Sequence, residues 1–120
     1  MISGIGIDIV ELERISKVME RQPRFVDRIL TTSEKNFFVE LSESRQIEFL
    51  AGRFAAKEAF VKAIGTGISA SYSWQDIEVQ KEPTGRPILV VTGLSNKVHL
   101  SISHSKTYAV AQVLIESLSS

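Results

Sequence analysis

Apolar and polar positions alternate from the start of the chain. Ile5, Ile7 and Ile9 share one face of residues 2–10, while Gly4, Gly6 and Asp8 share the other. The pattern predicts a strand with one packed face. The other face would let something approach the backbone closely, and it ends in a carboxylate. The period then lengthens. Leu12, Ile15, Val18 and Met19 form a helical stripe over residues 11–21, with Arg14, Lys17 and Arg21 on the far side. Pro23 ends this helix and can open another short turn. Thr31-x-x-Glu34 has the form of a capping box and predicts a helix to about Leu41. The longest helix is expected from Ser44 to Ile64, built mostly from strong helix formers, with Gly65 placed to stop it. Gly52 is its one weak interior position and marks close packing.

The second half returns to a period of two. Ser69–Trp74 reads as a loop. Ile77 and Val79 alternate with polar neighbours, and Pro83-Thr84-Gly85 signals a turn. Residues 87–92, 97–104 and 108–115 follow as strands. One strand, then helices, then a run of strands predicts an α+β fold with an antiparallel set of strands. At 120 residues and 13.3 kDa, the chain fits one domain over residues 1–120.

Composition narrows the function classes. Lys plus Arg equal Asp plus Glu at 14 each, so overall charge gives no case for nucleic acid. The absence of cysteine excludes disulfides, zinc–thiolate sites and a cysteine nucleophile. No apolar run approaches the ~18 residues of a membrane span, and no signal-peptide layout opens the chain. A cytosolic protein is expected.

Four features could carry chemistry. Asp8 is a carboxylate in an apolar strand, and it could cap the next helix or serve a site. Glu58 lies mid-helix, four residues before Lys62; the two could be a surface ion pair or part of a site. Gly65-Thr66-Gly67 is a strong helix stop and a weak phosphate signal. His104, at the end of a strand among Ser101, Ser103 and Ser105, suits a polar turn or a phosphate contact equally. Residues 11–28 also carry five basic side chains against four acidic ones, so any docking surface there depends on how they face. Arg14, Lys17 and Arg21 face one way, and Arg24 follows beyond Pro23. Such a stripe can be a solvated helix face or a surface for an acidic partner.

Gly6-Ile7-Asp8 followed by Phe54-x-x-Lys57-Glu58-Ala59-x-x-Lys62 resembles the paired signature of the 4′-phosphopantetheinyl transferases, in their short bacterial holo-acyl-carrier-protein synthase form. The similarity extends over Ile2–Glu11, Glu48–Ile68 and His99–Glu116. The resemblance implies the fold of that family and transfer of 4′-phosphopantetheine from coenzyme A to a serine of apo-acyl carrier protein, in support of fatty acid biosynthesis. It implies a Mg2+ ion on Asp8 and Glu58. Lys62 would lie beside the phosphates, and Gly65, Thr66 and His104 would contact coenzyme A. The base would be Glu58 itself or a metal-bound water that it orients. The resemblance further implies a homotrimer with active sites at subunit interfaces, and it gives the Arg14, Lys17, Arg21, Arg24 stripe an acidic carrier protein as partner. Two other classes compete: a module that binds coenzyme A without consuming it, and a structural trimer whose helix ion pair only packs.

Overall fold

The computed structural model describes residues 1–65 and 72–117. Strand β1 (Ile2–Glu11) leads into helices α1 (Leu12–Arg21), α2 (Phe25–Ile29), α3 (Thr32–Phe38) and α4 (Glu43–Ile64). A 3₁₀ turn over Trp74–Asp76 precedes β2 (Ile77–Lys81), β3 (Pro87–Val91), β4 (Lys97–His104) and β5 (Tyr108–Glu116). The expected α+β order is present. The strands form two antiparallel sheets, one of three strands in the order β1-β5-β4 and one pairing β2 with β3.

The local signals act as read. Thr31 and Glu34 make a reciprocal capping box at the start of α3. Gly65 closes α4 at a φ of 88°, in the left-handed region where glycine carries no Cβ penalty. Most element ends lie within one residue of those expected; two differences stand out. Helix α3 stops at Phe38, whose carbonyl accepts from Gln46 Nε2 at 3.0 Å. Trp74 opens the 3₁₀ turn and is not loop; Ser69–Ser71 lie outside the described residues.

Helix α4 is the axis of the fold. Leu50, Ala51, Ala55, Ala56, Ala59 and Phe60 along it have no exposed surface. It lies across the inner face of the three-stranded sheet, where Ala109, Ala111, Val113 and Ile115 of β5 are buried. Strand β1 reaches the helix through its glycines. A Cβ on Gly6 would sit 2.0 Å from the Ala59 carbonyl oxygen, and one on Gly4 would sit 2.2 Å from that of Ala63. Two strand residues advance about 6.7 Å and four helical residues about 6.0 Å, so the two contacts stay in step.

This corrects the sequence reading of β1. The glycine face is the packed one, and the close approach is made by α4. The isoleucine face lies outward: Ile5, Ile7 and Ile9 are each about 60% exposed (61%, 58% and 63%). Alternation identified two faces, but small side chains against a helix backbone buried the less apolar of them.

Candidate active site

Continuing the glycine row one step places Asp8 beside the next turn of α4. Helical side chains tilt toward the helix N-terminus, so Glu58 and Lys62 lean back toward it. Lys62 Nζ donates to Asp8 Oδ1 at 2.8 Å and to the Ile7 carbonyl at 3.1 Å. Of the two alternatives for Glu58 and Lys62, the structure does not show the surface pair; Lys62 pairs with Asp8 across the β1–α4 contact. The Asp8 side chain is only 14% exposed, whereas that of Lys62 is 53% exposed.

Glu58 is half-buried on the same side. Burial pushes its carboxyl above the usual carboxylate range, and the charge of Asp8 pushes it further; Lys62 opposes both. Asp8 and Glu58 line one cavity of about 320 Å³ with Arg14, Val18, Phe25 and Phe54. A polar floor of two carboxylates thus opens to an apolar wall and one basic side chain.

Lys57 has no role in the sequence reading beyond its place in the signature, and it has no exposed surface. Its ammonium donates to Glu34 Oε1 at 2.7 Å, to the Ile29 carbonyl at 2.7 Å and to the Trp74 carbonyl at 3.2 Å. Burial lowers its pKa, against the pull of Glu34. Glu34 Oε2 also accepts from the Val79 amide at 2.8 Å. In sequence Lys57 is marked only by the signature, and Glu34 only as a capping residue. Only the packing reveals the buried pair.

His104 is not gathered with Asp8 and Glu58. It closes β4, whereas Asp8 is on β1, and β5 separates those strands by roughly 10 Å across the sheet. His104 Nδ1 lies 3.8 Å from Glu48 Oε2. It lines a second cavity of about 260 Å³ with Arg45, Arg53 and Lys81, cations that no sequence motif marks. The Arg53 guanidinium lies 3.8 Å from the centre of the Phe49 ring, and its buried Nε has no hydrogen-bond partner among the described residues. Gly65 is exposed at the end of α4, three residues beyond Lys62, and Thr66 lies outside the described residues. Along α1, Arg14 and Arg21 are exposed and line a shallow groove with Lys17, which also pairs with Glu13 at 3.3 Å. Arg24, just before α2, is exposed as well.

A family model described as the 4′-phosphopantetheinyl transferase superfamily matches residues 4–113. The chain belongs to that superfamily and is a transferase. Within it, full-length similarity runs to proteins named holo-[acyl-carrier-protein] synthase. The one from Halalkalibacterium halodurans is 59% identical over 120 residues, and the one from Bacillus subtilis is 60% identical over 121; each comparison covers 100% of both chains. A solved holo-(acyl-carrier-protein) synthase from Bacillus anthracis, in complex with CoA (3′,5′-ADP), matches with a TM-score of 0.91 and 56% identity over 98% of each chain. The Helicobacter pylori protein, solved in complex with coenzyme A, matches with a TM-score of 0.82 and 34% identity, over 93% of this chain and 99% of that one.

Proposed function

We propose that this protein transfers the 4′-phosphopantetheine of coenzyme A to a serine hydroxyl of apo-acyl carrier protein, releasing adenosine 3′,5′-bisphosphate. The observation that carries the reading is the meeting of Asp8 and Glu58, from the two halves of the signature, at one cavity, with Lys62 hydrogen-bonded to Asp8.

The donor set fits magnesium. Mg2+ is held by one or two carboxylates, with waters and substrate phosphates completing the shell. Asp8 and Glu58 supply two carboxylates, and the raised pKa of Glu58 reflects, after burial, a like charge that a cation would relieve. Bound there, magnesium would stabilise charge on the pyrophosphate.

The protein's own residues do the rest. Lys62, half exposed and within reach of Asp8, sets a positive charge beside the phosphates. Gly65 and Thr66 would flank the same cofactor. Glu58, directly or through a water that it orients, accepts the proton of the carrier serine. The serine oxygen attacks the β-phosphorus in line, and the bond to the leaving bisphosphate breaks.

The site is incomplete within one chain. His104 and its neighbouring cations stand apart from Asp8, and the outer face of β1 is lined by exposed isoleucines. A homotrimer would cover that face and bring the His104 cavity of one subunit to the Asp8 site of the next. In this reading Ile7→Glu, which places a charge in the covered face, lowers the mass measured by sedimentation equilibrium to that of a single chain. A variant that stays trimeric would exclude this face as the contact.

The exposed Arg14, Lys17, Arg21 and Arg24 receive the acidic carrier protein. Arg14→Glu is expected to raise the carrier KM about tenfold at low salt, with a smaller effect at high salt, because such charges are screened. Steady-state kinetics at two ionic strengths check this. The setting is the cytoplasm and fatty acid biosynthesis, with residues 1–120 acting as one domain. No helix among the described residues is long and apolar enough to cross a membrane.

Intact-mass spectrometry of apo-acyl carrier protein tests the activity directly. With this protein, coenzyme A and magnesium, the carrier gains one phosphopantetheine, and EDTA abolishes the gain. An unmodified carrier beside a folded protein that binds coenzyme A would leave a binding module instead.

A further inference from the structure

We infer that Gln75, acting with Lys57, positions helix α2 for the carrier protein. The inference rests on the proposed docking of the carrier at the basic face of α1 and Arg24.

Helix α2 has five residues. A helix leaves its last four carbonyls without internal partners, and one this short has little stability of its own. Its carbonyls are satisfied from elsewhere in the chain. Gln75 Nε2 approaches the carbonyl oxygens of Asp27 and Arg28 at 3.2 Å each and that of Leu30 at 2.9 Å. The remaining carbonyl of the run, on Ile29, accepts from Lys57 Nζ at 2.7 Å. Two side chains therefore converge on four consecutive carbonyls, with the two N–H groups of Gln75 shared among three of them. One comes from the 3₁₀ turn and the other from α4.

The cap is itself braced. The Lys57 ammonium also donates to the Trp74 carbonyl, next to Gln75, and to the buried Glu34 carboxylate. The Trp74 ring stacks on Phe54 at 5.4 Å, and Phe54 meets Phe25 of α2 at 5.9 Å. One cluster thus joins α2, the turn and α4 at the residue preceding Glu58.

The opposite end of α2 faces the active site. Phe25 lines the cavity that holds Asp8 and Glu58, and exposed Arg24 immediately precedes it. A helix held at its C-terminal carbonyls has a fixed direction, so the cap determines where Arg24 and Phe25 stand relative to the carboxylates. Gln75 and Lys57 touch none of the reacting groups; they are positioning residues. Loss of Gln75 acts on the carrier and leaves the Asp8–Lys62 contact, which β1 and α4 make, in place.

Gln75 is exposed, so its replacement removes the cap without opening the core. The experiment is steady-state kinetics of Gln75→Ala and Gln75→Glu, with the carrier and coenzyme A varied separately, beside Arg24→Glu. Gln75→Ala is expected to raise the carrier KM about fivefold, the scale of one net hydrogen bond, with the coenzyme A KM and kcat within about twofold. Gln75→Glu raises it further, because a carboxylate then faces carbonyl oxygens. The Gln75→Ala effect persists at high salt, whereas that of Arg24→Glu shrinks. An unchanged carrier KM in Gln75→Ala, with a raised one in Arg24→Glu, overturns the positioning role and leaves the docking reading standing. An unchanged KM in both removes the docking reading and the inference with it. Parallel losses in both KM values and kcat would reduce Gln75 to a general stabilising residue and also overturn it.

Discussion

Glu58→Gln is expected to remove turnover by at least about 10³-fold while leaving the fold intact. Two losses combine: a general base contributes about 10²–10⁴-fold, and the amide is a poorer cation ligand than the carboxylate. Stability moves the other way. Burial, then the charge of Asp8, raises the Glu58 carboxyl in the folded chain above its reference value of 4.5. The folded state therefore holds this proton more tightly than the unfolded state. The resulting stabilisation is fully present below the unfolded pKa and is lost as pH rises through the folded one. Glutamine resembles the protonated form, so the variant melts at or above the wild-type temperature at pH 8. The advantage disappears at pH 4. Thermal melts across that range check the sign, and carrier mass spectrometry checks turnover. A variant that still loads the carrier at more than a tenth of the wild-type rate would remove Glu58 from the mechanism.

Gly6→Ala has the second large effect, and it acts from outside the reacting groups. The added Cβ would lie 2.0 Å from the Ala59 carbonyl oxygen and 2.7 Å from the Ala63 amide nitrogen. Both are backbone atoms of α4, so no side chain can swing aside, and β1 must move off the helix. Overpacking of this kind costs about 1–3 kcal/mol, and more where the neighbour is rigid. A melting temperature lower by about 10 °C is expected. Activity should fall further than stability at the assay temperature, because Asp8 is carried on the displaced strand, two residues on. Gly52→Ala is the control. Its Cβ would meet only Ile102 Cγ2, at 3.4 Å, an ordinary contact. Alanine also gains about 1 kcal/mol of helix propensity there. Gly52→Ala is therefore expected to keep or slightly raise the melting temperature. Equal behaviour of the two variants would mean that the β1–α4 notch does not hold the site.

Much of this architecture is legible residue by residue. Thr31 and Glu34 mark the α3 cap, Gly65 marks the end of α4, and alternation marks each strand. The signature residues Asp8, Glu58 and Lys62 do meet. What was not legible concerns partners. Glu58 and Lys62, four apart on a helix, suggested a surface pair, yet Lys62 bonds Asp8, 54 residues away. Nothing near Lys57 in the sequence names Glu34, Ile29 and Trp74, which close around it. His104 shares strand parity with the half-buried Val98, Leu100 and Ile102, but parity does not reveal that β5 lies between it and Asp8.

The sequence by itself determined the elements, most of their ends and the residue types of the site, because periodicity, capping and turn chemistry act over a few neighbouring residues. The tertiary structure alone decided which face of β1 is covered, which lysine is buried and which carboxylate each cation reaches. Those outcomes depend on surfaces that arrive from distant parts of the chain. At Gly4 and Gly6, the absence of two side chains let a helix backbone come closer than any apolar side chain would allow, and that approach set Asp8 beside Glu58.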